Sequence, residues 1–414
     1  MVLRAYKYRL YPTKEQEQFL LQNFGAVRFV WNQLVANFNS WSKDKPVQTV
    51  TEKTLKDDPR YPWLNEAISY ALQQKRMDFD ETKKQFFNKK RAIKLGRMKF
   101  KCKGRSRDSF RIPGSVLPKA NLEMCETGQI VIPKMTPMKM VVDRKFHGII
   151  KNITVSRNKA NQYFVSVLVE EAKPEPLPNT YRAVGIDLGL KDLAVLSDGH
   201  RLTNPRWFRE SQSKLKRAQQ HLSRKQKGSN RRKRQQLKVN RIYLKIINQR
   251  NHLHHEFSKW LVENYDYIYL EDLAVQEMMQ SKSKTRNKNI ADASWSSLVS
   301  KIEYKANWYG KEFAKVDRYF ASSQVCSTCG HHDGKKSLDV RQWTCSSCGS
   351  VHDRDLNAAK NIEQEASRDL VNWIKRGNRE LSNSAESVEN RHREVLRPVV
   401  GTTLAASLKC PAIL

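Results

Sequence analysis

Residues 183–202, AVGIDLGLKDLAVLSDGHRL, hold two short apolar runs on either side of a turn at Gly189–Lys191, and a third segment toward His200. Short apolar runs bounded by glycine and polar turn residues predict strands that fold back on one another. Asp187 stands in the first run between Ile186 and Leu188, where an unpaired charge is costly and a bound cation would remove the cost. The plainer alternative is a turn-flanking aspartate, and GIDLG alone does not separate the two.

Beyond the meander, residues 209–263 read as helix, broken at Gly228-Ser229-Asn230. YDYIYLEDL (265–273) reads as a buried strand that ends in Glu271. Trp295, Leu298, Val299, Ile302, Ala306 and Tyr309 then mark one face of a further helix, before the strand KEFAKVD (311–317). A meander continued by helices and further strands is the opening of a ribonuclease H-like α/β fold.

Two matched pairs follow, Cys326-x2-Cys329 and Cys345-x2-Cys348, separated by 15 residues. Four thiolates at this spacing predict a structural zinc ribbon, since a redox dithiol has no use for a duplicate. With four cysteines closing the site, His331, His332 and His352 read as surface histidines. Downstream, HDRDLNAAKNI (352–362) supplies Asp355 at the entry to a helix, with Asp353 and Asp272 as rival carboxylates.

Composition indicates the partner. The chain has 414 residues, 76 Lys and Arg against 42 Asp and Glu, and a formal charge of +34, which points to a polyanion. Its 39% hydrophobic content supplies cores for two or three domains and excludes a chain disordered throughout. Two stretches concentrate the charge: residues 82–107 hold twelve Lys or Arg, residues 211–255 hold fourteen, and neither holds a carboxylate. The opening MVLRAYKYRLYP lacks the features of a signal peptide, and no apolar run reaches the roughly 18 residues of a membrane span. Cys102, Cys125 and Cys410 are scattered, which argues against a secreted disulfide framework. A soluble, cytoplasmic, nucleoid-associated protein of prokaryotic type is expected.

In the first half, an initial strand leads to Pro12-Thr13-x-x-Gln16, a capping box opening a helix with apolar residues from Phe19 to Phe38 at helical spacing. A second helix is expected over about 64–95. QIVIPKM, MKMVV, NITVSR and YFVSVLVE then predict a small β-barrel or sheet over 129–170, with a turn at Asn158–Asn161. The proline-rich KPEPLP (173–178) predicts a domain boundary. Beyond about residue 375 periodicity is lost and a disordered tail, 376–414, is expected.

Phosphodiester hydrolysis needs an activated water and stabilisation of the leaving oxygen, which two Mg²⁺ ions about 4 Å apart supply. Mg²⁺ takes hard oxygen ligands, so Asp187, Glu271 and a helix-entry aspartate on rigid elements form a candidate pair site.

The ordered set GIDLG, LED, SSQVCSTCG, WTCSSCG and HDRDLNAAKNI, with RLYPTKEQ and FGAVRFVWN near the start, closely resembles the TnpB family of transposon-encoded RNA-guided nucleases, related to compact type V CRISPR effectors. The resemblance implies a bilobed α+β protein: a helical recognition domain (13–99) inserted in an oligonucleotide-binding-type β-barrel, the wedge (1–12 and 100–172), then a linker (173–182). A RuvC-like, ribonuclease H-like nuclease domain (183–325 and 350–375) with a zinc-ribbon insertion (326–349) follows. It implies that Asp187, Glu271 and Asp355 are catalytic and bind two Mg²⁺ (or Mn²⁺), favouring Asp355 over Asp353, and that Cys326, Cys329, Cys345 and Cys348 bind one Zn²⁺. The implied partners are a guide RNA, double-stranded target DNA and its displaced single strand, held along the two basic stretches, with no membrane. Gln73, Gln74, Lys75 and Arg76 are candidates for reading a short target-adjacent motif, although each also reads as part of an exposed helical turn. Residues 277–293 resemble a loop that lids the site. A compact CRISPR effector shares the chemistry with another guide source, and a non-cleaving RNA-guided regulator would be expected to have lost one of the three carboxylates. A strand-transferring transposase would need a different nucleophile, and no tyrosine is singled out.

Overall fold

The computed structural model describes residues 1–40, 50–88, 96, 98–337 and 339–377. The chain divides into two compact units, residues 1–173 with 218–244, and residues 174–217 with 245 onward. The boundary falls inside the proline-rich segment.

Unit one begins with β1 (Val2–Tyr11) and α1 (Lys14–Asn39), joined at the expected capping box: Thr13 Oγ1 accepts from Gln16 N at 3.3 Å, and Gln16 Oε1 from Thr13 N at 3.0 Å. α1 buries Leu20, Phe24, Val27, Val30, Trp31, Leu34 and Val35, with Phe19 and Phe38 at the margin. Next come α2 (Glu52–Asp57), a 3-10 turn at Pro62–Asn65, and α3 (Ser69–Phe87). The helix expected from 64 therefore starts at 69, because Pro62 and the turn it opens come first, and residues 89–95 lie outside the described residues. β2 (Asp108–Pro113), a one-turn α4 (Met124–Thr127), β3 (Gln129–Ile130), β4 (Met138–Val141), β5 (Ile149–Arg157) and β6 (Tyr163–Glu171) complete the strand-rich part.

The six strands are antiparallel in the order β2-β5-β6-β1-β4-β3. Among the described residues β2 and β3 do not pair, so the expected barrel is an open sheet with two edges. One continuous core joins the inner face of this sheet (Tyr8, Leu10, Phe110, Ile153, Val165, Val167) to α1 and α3. The β5–β6 turn forms as read, with Asn161 at φ 58° and Asn158 Oδ1 accepting from the amides of Ala160 and Gln162.

Unit two is built on β7 (Ala183–Asp187), β8 (Asp192–Leu196) and β9 (Arg201–Thr203), the expected antiparallel meander. α5 (Trp207–Ser223) and α6 (Asn230–Asn264) follow, parted at Gly228, whose φ of 87° suits glycine. Residues 218–244 of this pair count with unit one. β10 (Tyr267–Glu271) enters parallel to β7; α7 (Val275–Met278), α8 (Lys284–Ala293) and α9 (Trp295–Tyr309) then lead to β11 (Glu312–Val316), parallel to β10. The sheet order is β11-β10-β7-β8-β9. The segment expected as a lid loop is largely helical, since Ile290 and Ala293 of α8 join the core and Asp292 pairs with Arg250.

The chain entering unit two is docked along its length. Leu177 N donates to Tyr309 O, Lys311 Nζ donates to Pro178 O and to the Asp266 carboxylate, and Asp266 accepts from the amides of Thr180 and Tyr181. A small hairpin, β12 (Gln342–Thr344) and β13 (Val351–Asp353), runs into α10 (Arg354–Gly377), which packs across the sheet. The ribbon thus extends past the expected residue 349. Among the described residues no helix is long and apolar enough to cross a membrane.

Candidate active site and metal centre

Asp187 and Glu271 are the last residues of adjacent parallel strands, β7 and β10, and the register pairs Ile186 with Leu270 just before them. Neighbouring strands lie about 4.8 Å apart, so the two carboxylates emerge side by side at the carboxyl ends, where open α/β sheets place their ligands. Both residues remain partly open to solvent, yet protein crowds the carboxyl groups themselves. That desolvation, then the charges of Glu271 and Asp355, push the Asp187 carboxyl well above the usual range; desolvation likewise raises Glu271. Glu271 Oε1 accepts from Leu188 N at 3.3 Å, which ties the glutamate to the chain leaving β7.

Asp355 lies in the first turn of α10. α10 reaches the sheet because Gly185 has no side chain: a Cβ there would stand 2.1 Å from Ala359 O and 2.5 Å from Glu363 N. Ala358 and Ala359 are fully buried, so the helix lies against β7 at nearly backbone distance. Two asparagines fasten α10 to the turn-rich segment entering the first cysteine pair. Asn357 Nδ2 donates to Val325 O at 2.8 Å and its Oδ1 accepts from Ser327 N at 2.9 Å, while Asn361 Nδ2 donates to Ser322 O and Val325 O, each at 2.7 Å.

The rival acids are occupied. Asp353 Oδ1 caps α10 by accepting from Leu356 N at 3.0 Å and pairs with Arg201 of β9 at 3.0 Å. Asp272 accepts from Arg318 Nε and Nη2 at 3.0 and 2.6 Å. Among the described residues Asp355 has a single, looser ion pair, with Arg341 at 3.3 Å. Among the described residues Asp187 and Glu271 have no ion-pair partner, an arrangement that is costly without a cation and whose hard oxygen donors suit Mg²⁺.

The four thiols converge, with all four sulfurs within 4.8 Å of one another. Cys326 and Cys348 Sγ are 3.7 Å apart and Cys329 and Cys345 Sγ 3.8 Å. A disulfide needs about 2.05 Å, whereas zinc–sulfur bonds of about 2.3 Å at tetrahedral angles set sulfurs about 3.8 Å apart, so the cluster fits Zn²⁺. Each knuckle closes alike: Gly330 N donates to Cys326 O at 2.9 Å and Gly349 N to Cys345 O at 3.0 Å, with φ of 76° and 70° that glycine adopts without strain. His331 and His332 are exposed, as expected, but His352 is not. It is 9% exposed, lies against Trp343, and places Nε2 3.0 Å from Cys326 Sγ, because β13 turns it inward. The CxxC spacing gave no sign of it; its position two residues from the β13–α10 junction is the only cue.

Of the four motif-reading candidates on α3, Gln73 is exposed and Gln74 half-buried. Lys75 is 9% exposed and pairs with Asp78, and Arg76 pairs with Glu52 and Asp80.

Three family models match the chain: "Probable transposase" over residues 166–282, "Cas12f1-like, TNB domain" over 295–362, and "Helix-turn-helix domain" over 1–45. Within the last span the described residues form one strand and one continuous helix, β1 and α1. A Streptomyces pristinaespiralis protein described as "Putative RNA-guided DNA endonuclease" is 37% identical over 370 residues, covering 87% of this chain and 89% of that one. A second, "Putative RNA-guided DNA endonuclease InsQ" of Escherichia coli (strain K12), is 31% identical over 379 residues, covering 87% and 91%. "CRISPR-associated endodeoxyribonuclease Cas12f1" of Sulfoacidibacillus thermotolerans is 23% identical over 245 residues, covering 54% and 56%. Identity on this scale over most of both chains, together with the intact motif order, makes the chain a member of the TnpB family.

Proposed function

We propose that this protein is the RNA-guided DNA endonuclease of a transposon, cutting DNA hydrolytically at a single ribonuclease H-like (RuvC) site made by Asp187, Glu271 and Asp355. The observation that carries the chemistry is the pair of crowded, uncompensated carboxylates at the ends of β7 and β10, with a third on α10 acting electrostatically on the first. The three residues would hold Mg²⁺, which when bound activates water and stabilises charge on the leaving oxygen. The chain's own contribution is rigidity. Two ligands are set by strand register, the third by α10, and Asp353 and Asp272 are kept on Arg201 and Arg318. The zinc ribbon does no chemistry in this reading. It anchors the segment that delivers Asp355.

The relatives' descriptions and the charge of +34 support a guide RNA and a DNA target as partners. Residues 1–12 and 100–172 would act as the wedge and 13–99 as the recognition helices, with residues 82–107 and 211–255 following the phosphate backbones. Base reading on α3 falls to Gln73 and Gln74, since Lys75 and Arg76 are held by carboxylates. The test begins with purification from the host, sequencing of the RNA that stays bound, and challenge of the complex with a library randomised beside the target. Magnesium-dependent cuts next to one short motif are expected. Asp187→Ala and Glu271→Ala should abolish them while RNA and DNA binding persist; cutting by either variant, or the absence of bound RNA, would remove the assignment.

A further inference from the structure

The ribbon turns an imidazole inward. His352 follows the exposed Val351 in β13, and the strand register sets it opposite Trp343 of β12. The two rings lie 4.8 Å apart, and Lys336 Nζ stands 3.6 Å from the centre of the indole. Packing alone explains a buried ring, but not the direction of its Nε2, which comes within 3.0 Å of Cys326 Sγ. Cys326 is itself only 1% exposed. Four thiolates on one Zn²⁺ leave a net charge of about −2, and a buried sulfur that carries part of it has no water to turn to. Cys348 is exposed and has Ser350 Oγ at 3.3 Å besides. For Cys326 the donor is His352.

A metal-bound thiolate has no proton, so the imidazole gives the hydrogen, as the neutral ring protonated on Nε2. His352 is not itself a ligand. Sulfur and nitrogen on one zinc, at about 2.3 Å and 2.0 Å, stand about 3.5 Å apart at tetrahedral angles, and the four sulfurs form their group without it. The consequence lies further along the chain. Asp355 stands three positions on, and between them Asp353 Oδ1 caps α10 through Leu356 N and pairs with Arg201. The bonds made by Asn357 and Asn361 end on backbone groups that are present with or without metal. The His352 bond ends on a sulfur that gives up its proton to zinc binding, and a charged acceptor roughly doubles such a bond.

We propose that His352 is a positioning residue: its Nε2–H donates to the Cys326 thiolate and thereby holds the first turn of α10, and Asp355 with it, to the metal-loaded ribbon. The inference deepens the reading of Asp355 as a ligand of the carboxylate site and rests on that reading for its consequence, but its test needs neither magnesium nor nucleic acid. Full-length protein is loaded with Co²⁺ for spectroscopy and with Zn²⁺ for the other measurements. His352→Phe keeps a ring for Trp343 and has no donor; His352→Gln offers an amide N–H at about the same reach. In His352→Phe the sulfur-to-cobalt charge-transfer band should move to longer wavelength, because a thiolate without its hydrogen bond gives up electrons more readily, while the ligand-field bands stay in place. Zinc should pass to a chelator about tenfold faster. Amides of residues 356–360 should exchange hydrogen faster by a similar factor, with those of β7 unchanged. His352→Gln should bring all three readings back toward native. A native charge-transfer band and release rate in His352→Phe would overturn the proposal, and so would equal changes in the two variants, which would leave His352 as packing. Shifted ligand-field bands in His352→Phe would make His352 a ligand and overturn it likewise, and native exchange in α10 beside an altered band would remove the positioning role. A failure to cut DNA touches none of these readings.

Discussion

The two candidate metal sites of unit two are built on opposite principles. In the ribbon, four sulfurs already stand where the corners of a zinc tetrahedron would lie, held by two matching glycine turns, and backbone amides satisfy the local carbonyls. At the strand ends, two carboxylates stand together with no Lys or Arg paired to them among the described residues, and a third is loosely held by an arginine. The ribbon is a closed site whose ligands gain stability with the metal; the carboxylate site stays open and is costly to the empty fold. A site that keeps room for water and substrate cannot also satisfy its own charges.

The largest expected effect separates the two at once. Asp187→Asn should lower cleavage by at least about 1,000-fold, about 4 kcal/mol of barrier, while metal-free thermal stability stays level or rises by about 2–4 °C as a like charge is removed. A fall in Tm would mean that the carboxylate is a structural group. Cys345→Ser should do the reverse, lowering zinc content, soluble yield and Tm, with cleavage falling about 100-fold as Asp355 loses its anchor. Zinc content equal to that of the native protein, by mass spectrometry, would exclude a four-thiolate site.

Gly185→Ala probes the connection between the sites. Its Cβ would enter the space of Ala359 O, so overpacking of about 1–3 kcal/mol is expected in urea unfolding, with cleavage reduced about tenfold. Full activity would show that α10 shifts without moving the site. Asn357→Ala is the mildest test. It leaves Ser327 N without its side-chain acceptor and Val325 O with Asn361 alone, costing about 1 kcal/mol, and should raise the magnesium needed for half-maximal cutting more than it lowers the maximal rate.

What could be read from the residues was whatever a local pattern encodes. The meander at 183–202, the Thr13 capping box, the β5–β6 turn, the Gly228 break and the paired cysteines each show within a short window. What escaped depends on contacts between distant segments. β2 directly follows the basic stretch 82–107 and is six residues long with two buried apolar positions, Phe110 and Ile112, so it stands as a strand by pairing with β5. The opening of the sheet between β2 and β3 is a fact about edges, which composition does not report. Gly185 reads as one residue of the first apolar run, yet its role is to admit Ala359, and Asn357 and Asn361 look unremarkable until their partners at 322–327 are known. The Lys75 carboxylate partner was three residues away on the same helix, but its inward orientation follows from the packing of α3 on α1 and β2.

Asp355 follows the ribbon in the chain, and this gives the molecule an order of assembly. During synthesis Asp187 and Glu271 leave the ribosome well before the cysteines, and the last carboxylate arrives only after both knuckles. On the proposed function, a nascent or zinc-starved chain would own two thirds of a blade and no edge. Arming the nuclease would then be tied to metal supply and to the completion of translation, with no separate inhibitor required.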